Sequence, residues 1–494
     1  MPSVSTLITF ALYFLILLGI GFYFYHKSKN IEDYLLGGRR LGAWVTALST
    51  QASDMSGWLL MGLPGAVFLY GPKEAWIAIG LFLGTCLNWK LVAKRLRVYT
   101  QKTNAITLPS FFESRFQDPS GLLRVVSAII ILIFFTIYVS SGLVAAGKLF
   151  DSMFDKITYH QAILIGGAII VVYTFLGGFL AVCWTDLFQG TLMFLAILII
   201  PIVAYIKTGG INEIKLAMEA KKISASLIPQ DGHIPVLAIV SAMAWGLGYF
   251  GQPHILARFM GIKSIEKLSR SMTIAIIWVF ISLTGAVLAG LIGIAMFDKL
   301  DDKETVLIHM ISILFPWIGG ILLAAILSAI MSTIDSQLLV CSSALTKDFY
   351  QKAIRKDASE KQLVWIGRIC VIIIFGIAFF LALNPESSIL DIVAYAWGGF
   401  GAAFGPVVLF ALFSRKTSWK SALAGMSAGT VVLIFWKQYG LSPLMYEIVP
   451  GFLINSLVIW VINLHLSQSE QNVLQQFAEI EALIQKEHRT PKQP

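Results

Sequence analysis

The chain has 494 residues, 57% of them apolar and only 13% charged, with a mean hydropathy of +0.77 and a net charge of +9. A soluble domain is far less apolar, so a polytopic membrane protein is expected, and spanning-length apolar runs of about 20 residues select helices over a barrel of shorter alternating strands. The positive balance calls for no nucleic acid: basic loops such as 90–97 and 347–356 account for it, and contact with anionic membrane lipid is the plainer consequence.

Thirteen spans are predicted, at 4–25, 42–70, 74–95, 122–152, 158–180, 185–206, 234–256, 271–297, 306–338, 363–383, 388–413, 418–437 and 445–465. The first has no basic segment before it and is of spanning length, so it is not a cleaved signal. Its charges, His26 and Lys27, follow it, which favours an N-terminus outside. An odd number of spans then puts the C-terminus inside, and 27 of the 37 lysines and arginines fall on that inner side. The chain reads as one transmembrane domain, 1–466, followed by a polar helical cytoplasmic tail, 467–494, too short for a second domain.

In chain order, the first informative stretch is 30–44, where Gly37 and Gly38 break any helix and Arg39 and Arg40 stand at the entrance to the next span. Ordinary positive-inside charge explains most of this, with Arg39 a candidate gate or partner of an inner carboxylate. Next comes 49–63, STQASDMSGWLLMGL, which places Asp54, Ser49, Ser53 and Ser56 inside an apolar span. An ionisable group there is costly, and small polar residues around it predict a broken helix whose freed carbonyls hold an ion. Tyr138, within IFFTIYVSSG, is either packing or a pocket hydroxyl in need of a partner. Asp186 is expected at the start of the sixth span, where a carboxylate could simply favour the helix dipole.

The segment 244–259, AWGLGYFGQPHILARF, matches a glycine fingerprint for dinucleotides but lacks the preceding strand and the following acid. Three glycines and Pro253 instead predict an unwound helix, with Trp245 and Tyr249 sharing a face at the break. In 324–350, Ser328, Ser332, Asp335 and Ser336 fall at helical spacing with Ala329 and Thr333 beside them, a stripe of oxygens suited to a hard cation. Back-bonding of the hydroxyls to their own helix is the structural alternative. Cys86, Cys183, Cys341 and Cys370 are single buried thiols without a CxxC pair, so neither a disulfide framework nor a zinc site is expected.

Interruptions in the second and seventh spans, five apart, are the pattern of an inverted repeat, about 42–206 against 234–413, with solute and ion at the midplane. At YLLGGRRLGAW, ALSTQASDMSGWLLMGLPGAVFLYG, WGLGYFGQPHILARFM, AAILSAIMST, LVCSSALTKDFY and YAWGGFGAAFGPVVLF the chain strongly resembles the sodium:solute symporter family, and within it the members that carry proline. The resemblance runs from about residue 5 to 465. It implies an all-α, LeuT-like 5+5 fold with one extra N-terminal and two extra C-terminal helices. It further implies sodium bound by Ala52, Met55, Ala329, Ser332 and Thr333, and affinity for sodium and solute set by Asp54, Ser56 and Gly57. Tyr138, Trp245, Tyr249 and Pro253 match the solute pocket. Arg39 matches a sensitive inner-side arginine, and Asp186 an acid tied to ion release or a second cation, with Asp335 and Ser336 nearby; Asp335 is neutral in some members.

The function so implied is sodium-coupled uptake of L-proline, with sodium as coupling ion, no cofactor and no obligate protein partner. The alternatives are another amino acid, pantothenate or a sugar acid on the same scaffold, and, more remotely, a transporter-like sensor or channel. The chain carries no nucleophile with its base, no phosphate loop and no metal-hydrolase motif, so no enzyme is expected.

Overall fold

The structure is a computed structural model describing residues 4–25, 31–154, 157–229, 234–465 and 471–489. The charges His26 and Lys27 and the start and end of the tail lie outside the described residues. Among the described residues the regular structure is helical, with one isolated bridge, Leu41 to Ile262.

The first half runs α1 Val4–Tyr25, α2 Ile31–Leu36, α3 Ala43–Asp54, α4 Leu63–Tyr70, α5 Ala75–Leu87, α6 Lys94–Lys102, α7 Leu108–Phe116, α8 Leu122–Met153, α9 Tyr159–Thr208 and α10 Ile211–Ala220. The second runs α11 Pro235–Met243, α12 Pro253–Gly261, α13 Glu266–Met296, α14 Val306–Leu314, α15 Gly319–Ser343, α16 Glu360–Leu381, α17 Ile389–Phe413, α18 Trp419–Gln438, α19 Ile448–His465 and α20 Gln471–Arg489. Ten helices are long and apolar enough to cross a membrane, and three shorter apolar ones, Trp58–Tyr70, Tyr159–Val172 and Pro235–Gly251, accompany them. This is a multi-pass membrane protein.

Three expectations about span edges change. The loop expected at 181–184 is absent, because α9 continues through it and is interrupted only at Gly178. Gly178 sits at φ +64°, and a Cβ there would meet Tyr34 at 2.7 Å, so glycine supplies a bend that any larger residue would strain. Asp186 therefore lies two turns inside its helix and not at a dipole-favoured first turn. The span expected at 306–338 is instead two helices, since Pro316 cannot continue α14 and the membrane-length helix starts at Gly319. The C-terminal tail is also more than a polar extension: Val473, Phe477, Ile480 and Ile484 of α20 are buried. Glu479 pairs with Lys102 at 3.1 Å, Glu481 pairs with Arg95, and Arg115 and Arg415 lie over the Phe477 ring.

Both predicted breaks are present. α3 stops at Asp54 because Met55 takes non-helical angles (φ −80°, ψ 74°), and the Ser56 amide turns back to Asp54 O at 2.9 Å. The other break is a tight 3-10 helix, Ala244–Gly251, then an extended Gln252 before Pro253 opens α12. The glycines earn this compactness: the Trp397 indole lies where a Cβ of Gly248 would be, and donates to the Trp245 carbonyl at 2.7 Å.

Candidate functional site

Ending α3 at Asp54 leaves its last carbonyls without helical donors. The Ala52 carbonyl would ordinarily accept from the Ser56 amide, which is turned away to Asp54 O. Two hydroxyls of α15 take it instead: Ser332 Oγ at 2.7 Å and Thr333 Oγ1 at 3.3 Å. The same hydroxyls lie 3.4 and 3.2 Å from the Ala329 carbonyl. Ala52, Ala329, Ser332 and Thr333 are thus one cluster of buried oxygens, with Met55 beside it at the break. This neutral oxygen set suits a hard monovalent cation. The predicted polar stripe divides, because Ser328 back-bonds to Ala324 O at 2.8 Å while Ser332 and Thr333 reach across to α3.

Two residues on from Ala52, Asp54 is fully buried. Its Oδ2 accepts the Tyr249 hydroxyl at 2.6 Å, and Oδ1 has no partner among the described residues. Its carbonyl accepts the Trp58 indole at 3.0 Å and the Tyr138 hydroxyl at 3.5 Å. Gly57 lets α8 close on the break, since a Cβ there would meet Ala145 Cβ at 2.8 Å. The three serines of the stretch divide their work. Ser49 donates to Asp186, Ser53 back-bonds to Thr50 O, and Ser56 Oγ accepts the Trp58 amide.

Trp245 and Tyr249 do not share a face. In a 3-10 helix three residues make a turn, so positions four apart diverge. Tyr249 faces Asp54 and the Trp397 ring, 5.0 Å away, whereas Trp245 faces Trp58 at 6.3 Å. Trp245 also lines a cavity of about 600 Å³ whose walls include Lys73, Glu74, Lys303, Glu304 and Lys437. Tyr138, Tyr249 and Asp54 lie outside that cavity's lining. Pro253 borders a separate void of about 20 Å³ with Ile131, Met260 and Leu339.

Sequence reasoning passed over Arg258. It is fully buried, and its guanidinium donates to Asp186 Oδ2 at 3.2 Å, to Ser49 Oγ at 3.1 Å, to the His254 carbonyl at 2.9 Å and to Ser336 Oγ. Ser336 in turn donates to Asp335 Oδ1 at 3.3 Å. The expected pair of acids with Ser336 is therefore brought together around the chain's own cation. The signal available was a basic residue just past the predicted end of the seventh span at 256, which in the structure lies within α12, three residues before its end at Gly261.

Arg39 occupies a left-handed position, φ +55°, immediately after two more at Gly37 and Gly38. That turn aims it at the C-terminal end of α6, whose negative pole attracts a cation. It donates to Thr100 O at 2.9 Å, Ala105 O at 2.8 Å, Met260 O at 2.9 Å and Thr100 Oγ1 at 3.4 Å. These acceptors are carbonyls and a hydroxyl, so the expected inner carboxylate is not its hydrogen-bond partner. Burial, with Arg97 close by, brings its pKa down to about 10, and it stays charged at neutral pH. The Leu41 carbonyl and amide clasp Lys263 and Gly261 at the same level, closing this end of the molecule.

Two interrupted membrane helices meeting at their breaks, one holding a cage of neutral oxygens and a carboxylate, define an ion-coupled secondary transporter. The chain belongs to the sodium:solute symporter family, whose model matches residues 34–429. Members of that family are transporters, not enzymes. The chain is 49% identical over 490 residues to the sodium/proline symporter of Escherichia coli, covering 97% of each chain. It is 49% identical over 465 residues to a high-affinity proline transporter of Bacillus subtilis, covering 93% of this chain and 98% of that one. Its fold is that of a sodium-coupled sialic acid symporter solved in a substrate-bound outward-open state, with a TM-score of 0.79 at 18% identity over 95% of this chain and 99% of that chain.

Proposed function

We propose that the chain takes up L-proline by alternating access, coupled to sodium and without a cofactor or obligate protein partner. A single interruption, 55–57, carries the proposal. At the end of α3 that runs into it, the Ala52 carbonyl meets Ser332 at 2.7 Å and Asp54 meets Tyr249 at 2.6 Å. Sodium held by the Ala52, Met55 and Ala329 carbonyls and the Ser332 and Thr333 hydroxyls would tie α3 to α15 and order the stretch that shapes the solute pocket. Coupling is then a difference in sodium affinity between conformations. The near-50% identity to proline transporters supports the choice of solute.

Proline is a zwitterion with an apolar ring. Tyr138, Trp245 and Tyr249 would wall the ring, Pro253 would fix the break beside them, a helix N-terminus at one break would suit the carboxylate, and a carbonyl or hydroxyl the ammonium. Ser56 and Gly57 shape the break and so tune both affinities. Arg39 acts as the inner gate, and Asp186, Asp335 and Ser336 hold Arg258 in place. A second cation at this cluster would share the two carboxylates with that guanidinium. The ten long and three short apolar helices support thirteen spans in two inverted repeats, 42–206 and 234–413, with the N-terminus outside and the C-terminus inside. In that orientation the 600 Å³ cavity opens outward and the Arg39 clasp closes the cytoplasmic end.

The test is uptake of radiolabelled proline into vesicles with and without an inward sodium gradient. Uptake should need external sodium and carry net positive charge, so that membrane potential contributes about 2.3 kcal/mol per charge per 100 mV. Equal uptake with potassium in place of sodium at fixed potential overturns the proposal.

A further inference from the structure

Between the outer cavity and the Asp54 cluster stands an aromatic residue that belongs to neither repeat. Tyr446 comes from the connection between α18 and α19, is 7% exposed and lines the cavity together with Trp245. Its ring packs on the Trp245 ring, with centroids 5.5 Å apart and planes 32° apart. Trp245 packs in turn on Trp58, whose indole bonds the Asp54 carbonyl. Tyr446, Trp245 and Trp58 therefore form a continuous layer from the cavity floor to the break.

Tyr446 is also fastened to both sides of the gap it covers. Its amide donates to Ser241 Oγ of α11 at 2.7 Å, and its hydroxyl donates to the Ala394 carbonyl of α17 at 2.5 Å. The connection itself is held from below: the Trp436 indole donates to Met445 O at 2.8 Å, and the buried Glu447 pairs with Lys437 at 3.6 Å. Gly398 leaves room for the phenol, because a Cβ there would approach its oxygen to 3.2 Å. A surface loop has no structural need for a buried tyrosine hydrogen-bonded to one transmembrane helix and packed on the tryptophan of another.

We infer that Tyr446 is the roof of the solute pocket, a positioning residue that holds the Trp245 ring over the Asp54, Tyr249 and Tyr138 cluster and withdraws to admit solute. This rests on the proposed proline pocket. Because the hydroxyl binds α17 while the amide binds α11 of the broken seventh span, any separation of those helices must release one of the two bonds. The ring sets how large a cyclic amino acid fits beneath, so Tyr446 contributes to both affinity and ring-size selection.

The experiment compares the parent with Tyr446→Ala, Tyr446→Leu and Tyr446→Phe in vesicles, at matched abundance and saturating sodium. Proline uptake is measured alone and against the six-membered analogue pipecolate. Losing the ring in the Ala and Leu variants should raise the proline KM about fivefold or more with the maximal rate within about twofold, and should improve pipecolate as a competitor relative to proline. The Phe variant keeps the ring and should keep the parent ranking of the two solutes. Sodium half-saturation at saturating proline should not move in any variant. If Tyr446→Ala fails to reach the membrane, Tyr446→Leu carries the same test. A parent-like KM and ranking in the Ala or Leu variant, or a loss confined to abundance and maximal rate, overturns the inference while leaving the functional proposal standing. A parent without sodium-dependent proline uptake overturns both.

Discussion

Tyr249 donates its hydroxyl to Asp54 Oδ2 at 2.6 Å, joining the two helix breaks across 195 residues of sequence. The Asp54 carboxylate has no other hydrogen-bond partner among the described residues, so this one phenol anchors the carboxylate that borders the proposed ion and solute sites.

Tyr249→Phe should therefore raise the sodium and proline concentrations for half-maximal uptake together. Leaving a buried acceptor unpaired costs about 1–3 kcal/mol, or roughly 5- to 150-fold if all of it falls on binding. Trp245→Ala removes apolar wall alone, worth about 25 cal/mol per Å² of lost contact, and should raise the proline requirement while leaving sodium half-saturation near the parent. Uptake measured against each ligand in turn separates the two. Identical profiles for the two variants would show that Tyr249 has no part in the ion site.

Ser332→Ala and Thr333→Ala each delete an oxygen that no lipid can replace, and each also strips a donor from the Ala52 carbonyl. Sodium half-saturation should rise several-fold before membrane abundance falls, with the larger effect at Ser332, whose bond to Ala52 is shorter. Unchanged sodium dependence in both variants would return the hydroxyls to a purely structural role.

Arg258→Gln leaves Asp186 buried without its cation, which in comparable sites costs about 3–5 kcal/mol. Abundance in the membrane should drop, and Asp186→Asn in the same chain should restore much of it by removing the excess charge. A double variant no better than the single one would refute this charge balance. Asp335→Asn alone tests the second ion: a Hill slope for sodium near one in the parent, unaltered in the variant, leaves Asp335 as a local hydrogen-bonding residue beside Ser336.

Arg39→Ala releases the Thr100, Ala105 and Met260 carbonyls at once and should loosen the closed inner end. A cysteine placed at Ala257, which borders the small void beyond this gate, should then react faster with a thiol reagent supplied from the cytoplasmic side. Equal labelling rates with and without Arg39 would rule out the gate.

Composition alone determined that this chain lives in a membrane as helices, because apolar runs of spanning length have no other stable home. Local chemistry determined where two of those helices fail: a carboxylate among small hydroxyl residues at Asp54, and glycines followed by Pro253, each disfavour a continuous helix regardless of neighbours. The pairing of Ser332 and Thr333 with that break came from the family resemblance, because residue type alone left back-bonding of the hydroxyls to their own helix open. Tertiary structure decided which partner each buried polar group takes, for that depends on how helices far apart in sequence are registered. It set Arg258 between Asp186 and Ser336, turned Arg39 toward carbonyls instead of a carboxylate, and separated Trp245 from Tyr249 by winding the break as a 3-10 helix. It also brought Tyr446, about 200 residues away from Trp245 in sequence, onto that ring. No periodicity encodes such contacts, because the energy that selects them is released only when the helices pack.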